Sequence, residues 1–570
     1  MVTLWPDTLW PDTLWLDTLW FDALGTGLST ASCWADAAWS SPLGISMEPV
    51  LEAAVKDPAI EANLRQFCLV LSVSLGVATL SRAFSVLRNI PYTLLLLLVG
   101  LGLAVLDVRL INLSPELILF IFLPPLLFEA AWNLNWKSLK QNFMPILLFA
   151  ILGVIVCIVG LVLGLRGLAG TSLATALLVG ASLSATDPVS VVALFRELGV
   201  DKKLTVLMEG ESLFNDGVAV VSFNLLLGLA LGLEQFDVSV SVARFLVFTG
   251  IAISVGALIG FGLSFLTQRF DLPLVEQSLT LVSAYGTYLV AEELGGSGVI
   301  AVVTTGLILG NFGSRIGMNP RTRLVVSEFW EFVAFFVNSI VFLLIGDQVQ
   351  FAGLRDNLGT IGIAIAIIIL CRAISTYGLS ALSNVLFGSE ITWQGQTLLW
   401  WGGLRGSVSV ALALSVPISL TEREDIIAIV FGVMLFTLLV QGLTTQPLLN
   451  CLGLLGDQEM IKEYQQMTAH RVALGRVMER LREIKASEAI DPEFAGYQMA
   501  LVEGQLEEVR EKMQRLEQRY DEVRQLAVEQ LREELLAIES DTYAELIRAG
   551  QLKDELAPLL QGVLPDRLGE

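Results

Sequence analysis

The chain has 570 residues, of which 54% are hydrophobic and only 16% charged, whereas soluble proteins average about 25% charged residues. Its net charge of −22 argues against nucleic acid as a partner. The five cysteines have no paired spacing and the single histidine, His470, lies outside every apolar run, so neither a disulfide framework, a zinc site nor a haem site is indicated. Apolar runs of about 18 residues or more recur along the chain and predict a polytopic membrane protein.

Residues 1–46 form a low-complexity extension. A tryptophan recurs every five residues in TLWPD-TLWPD-TLWLD-TLWFD, a period that matches neither an α-helix nor a β-strand. No basic stretch precedes the repeat, so it is not typical of a signal peptide. We interpret 1–46 as an extension, with the working protein beginning near Met47. An interfacial tryptophan anchor is the alternative.

The region 66–451 is predicted to be the transmembrane domain, with about thirteen spanning helices. The apolar segments lie approximately at 66–82, 90–106, 115–132, 143–165, 172–196, 204–233, 240–268, 275–294, 297–312, 325–346, 358–387, 392–417 and 425–451. One set of connecting loops carries eleven basic residues and the alternate set four. The positive-inside rule then predicts an external N-terminus and a cytoplasmic C-terminal region. We expect the protein to lie in the cell membrane.

Residues 457–570 are predicted to form an acidic, helical cytoplasmic tail. They hold 25 acidic and 15 basic side chains. Apolar residues alternate spacings of four and three along this tail, as in a heptad seam. The seam consists of Val502, Leu506, Val509, Met513, Leu516, Tyr520 and Val523. A helical hairpin or a short coiled coil is the plain interpretation, and a ligand-sensing role has no motif to support it.

The sixth segment, with the sequence MEGESLFNDGVAVV, holds the densest group of polar side chains in the apolar region. A charged side chain at the bilayer centre costs roughly 2.5–3.5 kcal/mol, so such residues indicate function. Ser212 and Asp216 are one helical turn apart, and Glu211 and Asn215 form a second such pair on a neighbouring stripe. We expect one stripe to hold an ion and the other to face a structural partner. The alternative is an ordinary buried polar network.

The fifth segment contains the sequence Ala185-Thr186-Asp187-Pro188. Proline lacks the N–H that a helix needs and disfavours helical geometry in the residue before it. Non-helical backbone at membrane depth is tolerated only where it lines a cavity. The freed carbonyls and the Asp187 carboxylate are therefore candidate cation ligands, whereas a plain proline kink would not need an aspartate.

The twelfth segment, WWGGLRGSVSVALALSVP, places Arg405 between glycines in an apolar run. An isolated arginine there would be costly, so a buried carboxylate partner is predicted. Two interrupted segments in different halves are typical of inverted-repeat transporters with a site at the midplane. Glu129, after Pro124–Pro125 in the third segment, is a further candidate. Structural pairing is the better interpretation for Glu328, Glu331, Asn338 and Arg372.

Together these stretches resemble the cation:proton antiporter-1 family, the sodium/proton exchangers of bacteria, archaea and eukaryotes. The resemblance spans residues 66–451. It depends on FLPPLLFEAAW, ATDPVSVVALF, EGESLFNDGVAVV, FWEFVAFFVNSIVFLLIG and GGLRGSVSVALAL. It implies a homodimer of all-α protomers with about thirteen transmembrane helices, inverted repeats and two crossed, broken helices.

The resemblance also implies roles for individual residues. The family's Asn-Asp pair matches Asn215 and Asp216, and its unwound Thr-Asp-Pro matches Thr186, Asp187 and Pro188. Its ion-ligand serine matches Ser212, and the acidic residue of its third helix matches Glu129. The implied Na⁺ site is Asp216, Ser212 and Thr186. The family's buried Glu–Arg bridge is matched to Glu211 and Arg405.

The implied activity is exchange of Na⁺, and also Li⁺, for H⁺, serving pH and sodium homeostasis. Cation and proton compete for the same carboxylate oxygens, because a carboxylate ligand must be deprotonated. With Asp216 as the single titrating group, electroneutral one-for-one exchange is expected. K⁺/H⁺ antiport is the alternative within the family, and a cation channel is the alternative from another class. We expect no enzyme activity and no cofactor.

Overall fold

The computed structural model describes residues 58–84, 90–106, 110, 113–233, 237–267, 272–314, 318, 320–454, 458–486 and 492–548. The chain divides into two units, Met1–Cys68 and Leu69–Glu570. The predicted extension 1–46, with its tryptophan repeat, lies outside the described residues. Within the first unit the described residues 58–68 are helical. The site described below lies entirely within the second unit.

All regular elements of the described ranges are helical, which confirms the all-α class. The first half contains α1 (Pro58–Ala83), α2 (Tyr92–Val105), α3 (Leu123–Asn133), α4 (Trp136–Gln141), α5 (Phe143–Gly164), α6 (Leu173–Ser182), α7 (Val189–Leu198), α8 (Lys202–Ala230) and α9 (Val238–Thr267). The second half contains α10 (Pro273–Glu293), α11 (Gly298–Ile308), α12 (Pro320–Asp347), α13 (Phe351–Asp356), α14 (Leu358–Phe387), α15 (Trp393–Trp401), α16 (Ser407–Leu414), α17 (Arg423–Phe436) and α18 (Gly442–Leu452). The tail contains α19 (Gln458–Ala486), α20 (Pro492–Arg519) and α21 (Asp521–Arg548). Four π-helical stretches adjoin α3, α5, α11 and α17: Leu117–Phe122, Leu165–Ala169, Leu309–Gly313 and Thr437–Gln441.

Each of the thirteen predicted apolar segments is largely helical in the structure. Among the described residues, seven helices are long and apolar enough to cross a bilayer: Leu64–Ser81, Phe143–Ala169, Lys202–Ala230, Val238–Thr267, Thr322–Asp347, Leu358–Phe387 and Arg423–Leu452. Shorter apolar helices add Tyr92–Val105, Leu117–Asn133, Leu173–Ser182 and Gly298–Gly313. The protein is therefore a multi-pass membrane protein, while the count of thirteen spans and the inverted-repeat relation stay predictions.

Two of the predicted spans are each divided into two short helices. The first has α6 and α7 on either side of residues 183–188, and the second has α15 and α16 on either side of residues 402–406. Each pair begins with a side-chain cap: Ser172 Oγ accepts from Thr175 N at 3.2 Å, and Thr392 Oγ1 accepts from Gly395 N at 3.2 Å. Such caps satisfy backbone N–H groups that a short helix cannot bond internally. Each interrupted span therefore begins with a capped helix and has non-helical backbone in its middle.

Small residues let helices approach closely, as is usual in membranes. Helices α2 and α12 meet at two glycines, where a Cβ on Gly100 would lie 2.9 Å from Gly346 Cα and 2.2 Å from the carbonyl oxygen of Leu343. Helix α8 packs against α5 and α6, and a Cβ on Gly210 would meet the side chain of Ile146 at 2.6 Å. This packing holds α8 beside the first interrupted span.

The tail is helical, as predicted, and has an apolar cluster of its own. Tyr464 of α19 is buried with Met513 and Val523, both of which belong to the predicted heptad seam. The hydroxyl of Tyr464 donates to Glu517 Oε1 at 2.8 Å. Burial and this carboxylate raise the pKa of Tyr464 above its usual value. Helices α19 and α20 thus pack along the seam.

Candidate ion-binding site

The two interrupted spans cross at their breaks, which confirms the predicted pair of crossed broken helices. The backbone N–H of Asp187, in the first break, donates to the carbonyl of Leu404, in the second, at 2.9 Å. The hydroxyl of Ser409 on α16 donates to the carbonyl of Ala185 at 3.4 Å. Backbone groups that the breaks remove from helical hydrogen bonding are thereby satisfied at membrane depth.

Arg405 lies in the second break and is only 2% exposed. Its Nη1 donates to the carbonyls of Ala185 and Ser184, at 2.9 and 3.2 Å. Its backbone N–H donates to Thr437 Oγ1 at 3.1 Å. Carbonyls just beyond the end of α6 lack helical partners and attract a cation. Arg405 therefore stabilises the unwound backbone of the first break.

The predicted pairing of Glu211 with Arg405 is wrong. Glu211 is 3% exposed and forms a bidentate ion pair with Arg372 of α14, in which Arg372 Nη1 contacts Oε1 and Nη2 lies 3.0 Å from Oε2. Arg372 Nη2 also donates to the carbonyl of Leu399 at 3.1 Å. Arg372 therefore forms a structural ion pair, as the sequence predicts. The guanidinium of Arg405 instead faces backbone carbonyls, which the sequence pattern does not reveal.

Thr186 is fixed by two residues of α8. The amide of Asn215 bonds to it twice: Nδ2 donates to Thr186 Oγ1 at 2.6 Å, and Oδ1 accepts from Thr186 N at 3.3 Å. The hydroxyl of Ser212 donates to the carbonyl of Thr186. Through these two hydrogen bonds Asn215 holds the unwound backbone of the break in position. Ser212 keeps its oxygen lone pairs.

Asp216 lies one turn beyond Ser212 on α8 and is 9% exposed. Its Oδ1 is buried and has no hydrogen-bond partner among the described residues. Asp187 differs, because its Oδ1 accepts from the N–H of Val189 at 3.0 Å. The Asp187 carboxylate also lies against Gly406, where a Cβ would come within 2.1 Å of Oδ2. The helix crossing therefore brings together one bonded and one unsatisfied carboxylate.

A cavity of about 380 Å³ reaches this crossing. It is lined by five of the predicted site residues: Glu129, Thr186, Asp187, Ser212 and Asp216. Arg196 and Glu209 also line it and form an ion pair at 2.6 Å, with the Arg196 side chain 61% exposed. The cavity therefore reaches solvent at the end marked by Arg196. Asn215 is buried behind it.

The cavity offers carboxylate, hydroxyl and carbonyl oxygens. Among the described residues, no group of three or more His, Cys, Asp or Glu side chains is arranged to hold a metal ion as a resident cofactor. Hard oxygen donors suit a hard cation such as an alkali metal ion. The site is thus chemically suited to an alkali cation.

Comparison with known proteins agrees with this geometry. The family model described as "Sodium/hydrogen exchanger, transmembrane" matches residues 70–451. The chain belongs to this family. The Na⁺/H⁺ antiporter ApNhaP of Aphanothece halophytica is 61% identical over 515 residues, covering 90% of this chain and 99% of that protein. The low-affinity Na⁺/H⁺ antiporter NhaS1 of Synechocystis is 58% identical, covering 90% and 98%.

The fold of this exchanger is also that of a solved structure. The sodium proton antiporter MjNhaP1 from Methanocaldococcus jannaschii matches with a TM-score of 0.56 and 22% identity. The match covers 70% of this chain and 100% of that chain. At this level of identity the similarity concerns the fold.

The exchanger's cavity is lined by two residues that the sequence interpretation did not place in the site. Glu331 and Asn338 of α12 line it, although structural pairing was the better interpretation for both. Glu331 is exposed and makes no hydrogen bond or ion pair with a described residue. Glu129 accepts from Asn133 Nδ2 at 2.5 Å within α3. The sequence FWEFVAFFVN could have indicated that Glu331 and Asn338 line one surface, because they are seven positions apart and share a helical face.

Proposed function

We propose that this exchanger is a Na⁺/H⁺ antiporter in which cation and proton compete for Asp216. One observation carries the proposal: Asp216 is buried, lines the cavity, and leaves Oδ1 without a hydrogen-bond donor among the described residues. A buried, unsatisfied carboxylate oxygen is costly. A proton or a cation removes that cost, and only one of them can do so at a time. Exchange is then obligatory.

We assign Na⁺ to oxygens of Asp216, Ser212 and Thr186. Ser212 Oγ donates its proton to the Thr186 carbonyl, so its lone pairs are available to a cation. Asn215 keeps Thr186 in place through its two hydrogen bonds. Asp187 lines the same cavity and adds negative charge beside the ion. Glu129, also lining it, attracts the cation along the route.

The names of the relatives support Na⁺ as the cation, since ApNhaP and NhaS1 are both named as Na⁺/H⁺ antiporters. Li⁺ is also a hard cation that oxygen donors accept, so we expect it to be transported. K⁺/H⁺ antiport is the alternative within the family. A carboxylate that holds one ion at a time favours stoichiometric exchange over a channel. The function is then pH and sodium homeostasis.

The cavity also indicates how the protein is oriented across the membrane. It reaches solvent at Arg196, which belongs to the loop set with the larger number of basic residues. By the positive-inside rule we infer that this end is cytoplasmic and that the cavity opens towards the cytoplasm. We propose a multi-pass protein of the cell membrane with its N-terminus outside, its tail in the cytoplasm, and two protomers in a homodimer.

The test is transport by purified protein in vesicles that contain a pH-sensitive dye. The wild type should show saturable proton flux on addition of NaCl or LiCl. Asp216→Asn should abolish the flux while keeping the wild-type gel-filtration profile. Asp356→Asn, at an exposed position outside the cavity, is the matched control and should transport normally. Normal exchange by folded Asp216→Asn would refute the assignment.

A further inference from the structure

Helix α12 presents one continuous face to the cavity. The lining residues Glu331, Ala334, Phe335 and Asn338 are spaced at i, i+3, i+4 and i+7, which is one stripe of an α-helix. Glu331 is at the end of this stripe nearer to the start of α12. Arg321 and Arg323, at that start, belong to the more basic of the two sets of predicted connecting segments. Asn338 is two turns further along the helix. Glu331 therefore lies on the side of the cavity towards the basic loops.

The five carboxylates that line the cavity differ in their partners. Glu129 accepts from Asn133, Asp187 from the N–H of Val189, and Glu209 from Arg196. The two others are Asp216, whose Oδ1 has no donor in the described part of the chain, and Glu331, which bonds to no described residue. Glu331 is exposed, unlike Asp216.

An exposed, unpaired carboxylate within a spanning helix has a cost unless it faces water. Glu331 meets that condition through the cavity. An anion in a cleft with low-dielectric walls raises the local concentration of cations. It does so without binding the ion in the final site, because the ligand oxygens of Asp216, Ser212 and Thr186 come from other helices.

We propose that Glu331 concentrates Na⁺ in the cavity and so sets the apparent affinity for the cation, without taking part in the exchange step. This inference rests on the proposed function. Glu331→Gln removes the charge and keeps the shape, so it should raise KM for Na⁺ while leaving kcat unchanged. The effect should weaken with ionic strength, because salt screens charges across open water.

The experiment measures Na⁺-dependent proton flux in vesicles at about 10 mM and about 300 mM ionic strength, set with choline chloride. For Glu331→Gln we expect KM to rise roughly threefold to tenfold at low ionic strength and less at high. Glu331→Asp, which keeps the charge, should restore most of the affinity. Glu328→Gln is the matched control: Glu328 is exposed on the same helix and does not line the cavity, so its KM should equal that of the wild type.

The outcomes separate this inference from the function on which it rests. A wild-type protein without Na⁺-dependent proton flux would overturn both. Normal wild-type exchange with an unchanged KM in Glu331→Gln would overturn the inference alone. So would a loss of kcat at constant KM, or an equal rise of KM in Glu328→Gln. Failure of Glu331→Asp to recover affinity would show that shape, not charge, matters at this position.

Discussion

Gly406 lies against the carboxylate of Asp187 with no room for a side chain between them. A Cβ on Gly406 would be 2.1 Å from Asp187 Oδ2 and 2.3 Å from its Cβ. Gly406 directly precedes α16, and Asp187 lies in the opposite break, bonded through its backbone N–H to the carbonyl of Leu404. The two breaks can therefore cross at this separation only because residue 406 is a glycine.

The first prediction is that Gly406→Ala disables transport by displacing Asp187. The added methyl would overlap the carboxylate, so either the Asp187 side chain or the crossing must shift. We expect at least a roughly tenfold loss of kcat, on the grounds that small misplacements of reacting groups are costly. The measurement is Na⁺-driven proton flux per protein in vesicles.

The control for this prediction is Gly378→Ala. Gly378 lies within α14, is exposed, and a Cβ there would meet nothing within 4 Å. Alanine favours helices over glycine by about 1 kcal/mol, so this variant should be at least as stable as the wild type and should transport equally well. Equal transport by Gly406→Ala and Gly378→Ala would mean that the position of Asp187 is not critical.

The second prediction concerns the ion pair of Glu211 and Arg372. Removing one partner leaves a buried charge, at a cost of about 3–5 kcal/mol. Glu211→Ala and Arg372→Ala should therefore each lower the melting temperature in detergent, and the double variant should recover part of the loss. A double-mutant cycle measures this coupling.

The control is a second double-mutant cycle, in which Glu211 is paired with Arg405 and not with Arg372. Arg405 bonds to the carbonyls of Ala185 and Ser184 and not to Glu211, so Glu211→Ala and Arg405→Ala should show weaker coupling than Glu211→Ala and Arg372→Ala. Coupling of Glu211 to Arg405 that exceeds its coupling to Arg372 would contradict the ion pair described here.

The contrast between these arginines shows what the sequence reveals and what it does not. Periodicity within one helix predicts which residues share a face, and Ser212 and Asp216 do share the face that lines the cavity. Which distant helix meets the other face depends on long-range packing. Glu211 and Arg372 are 161 positions apart, and no local pattern connects them. The burial of Arg405 was predictable, whereas its partners were not.

Local chemistry also explains why the breaks were predictable. Pro188 and the glycines at 402, 403 and 406 interrupt helices by their own backbone properties, and the structure places both interruptions where the sequence predicts them. Glu331 was harder to interpret. A carboxylate in an apolar run predicts a partner side chain that neutralises it. Only the cavity shows that Glu331 can be solvated by water without such a partner.

The third prediction is that exchange is electroneutral, with one Na⁺ for each H⁺. Asn215 cannot titrate, and both groups of its amide bond to Thr186. Glu211 is neutralised by Arg372. Asp187 lies in the unwound segment with Oδ1 bonded to the N–H of Val189. Asp216 is then the carboxylate that alternates between a proton and a cation, and each exchange cycle moves no net charge.

The measurement is Na⁺-driven proton flux at zero and at negative-inside potential, clamped by potassium and valinomycin. Moving one net charge through about 100 mV changes the free energy by about 2.3 kcal/mol, so electrogenic exchange should respond several-fold. We expect equal rates. A thiocyanate gradient that sets the same potential without potassium controls for potassium transport by the protein itself. A potential-dependent rate under both clamps, or a steady current on a supported membrane, would show that a second group, with Asp187 the first candidate, carries a proton.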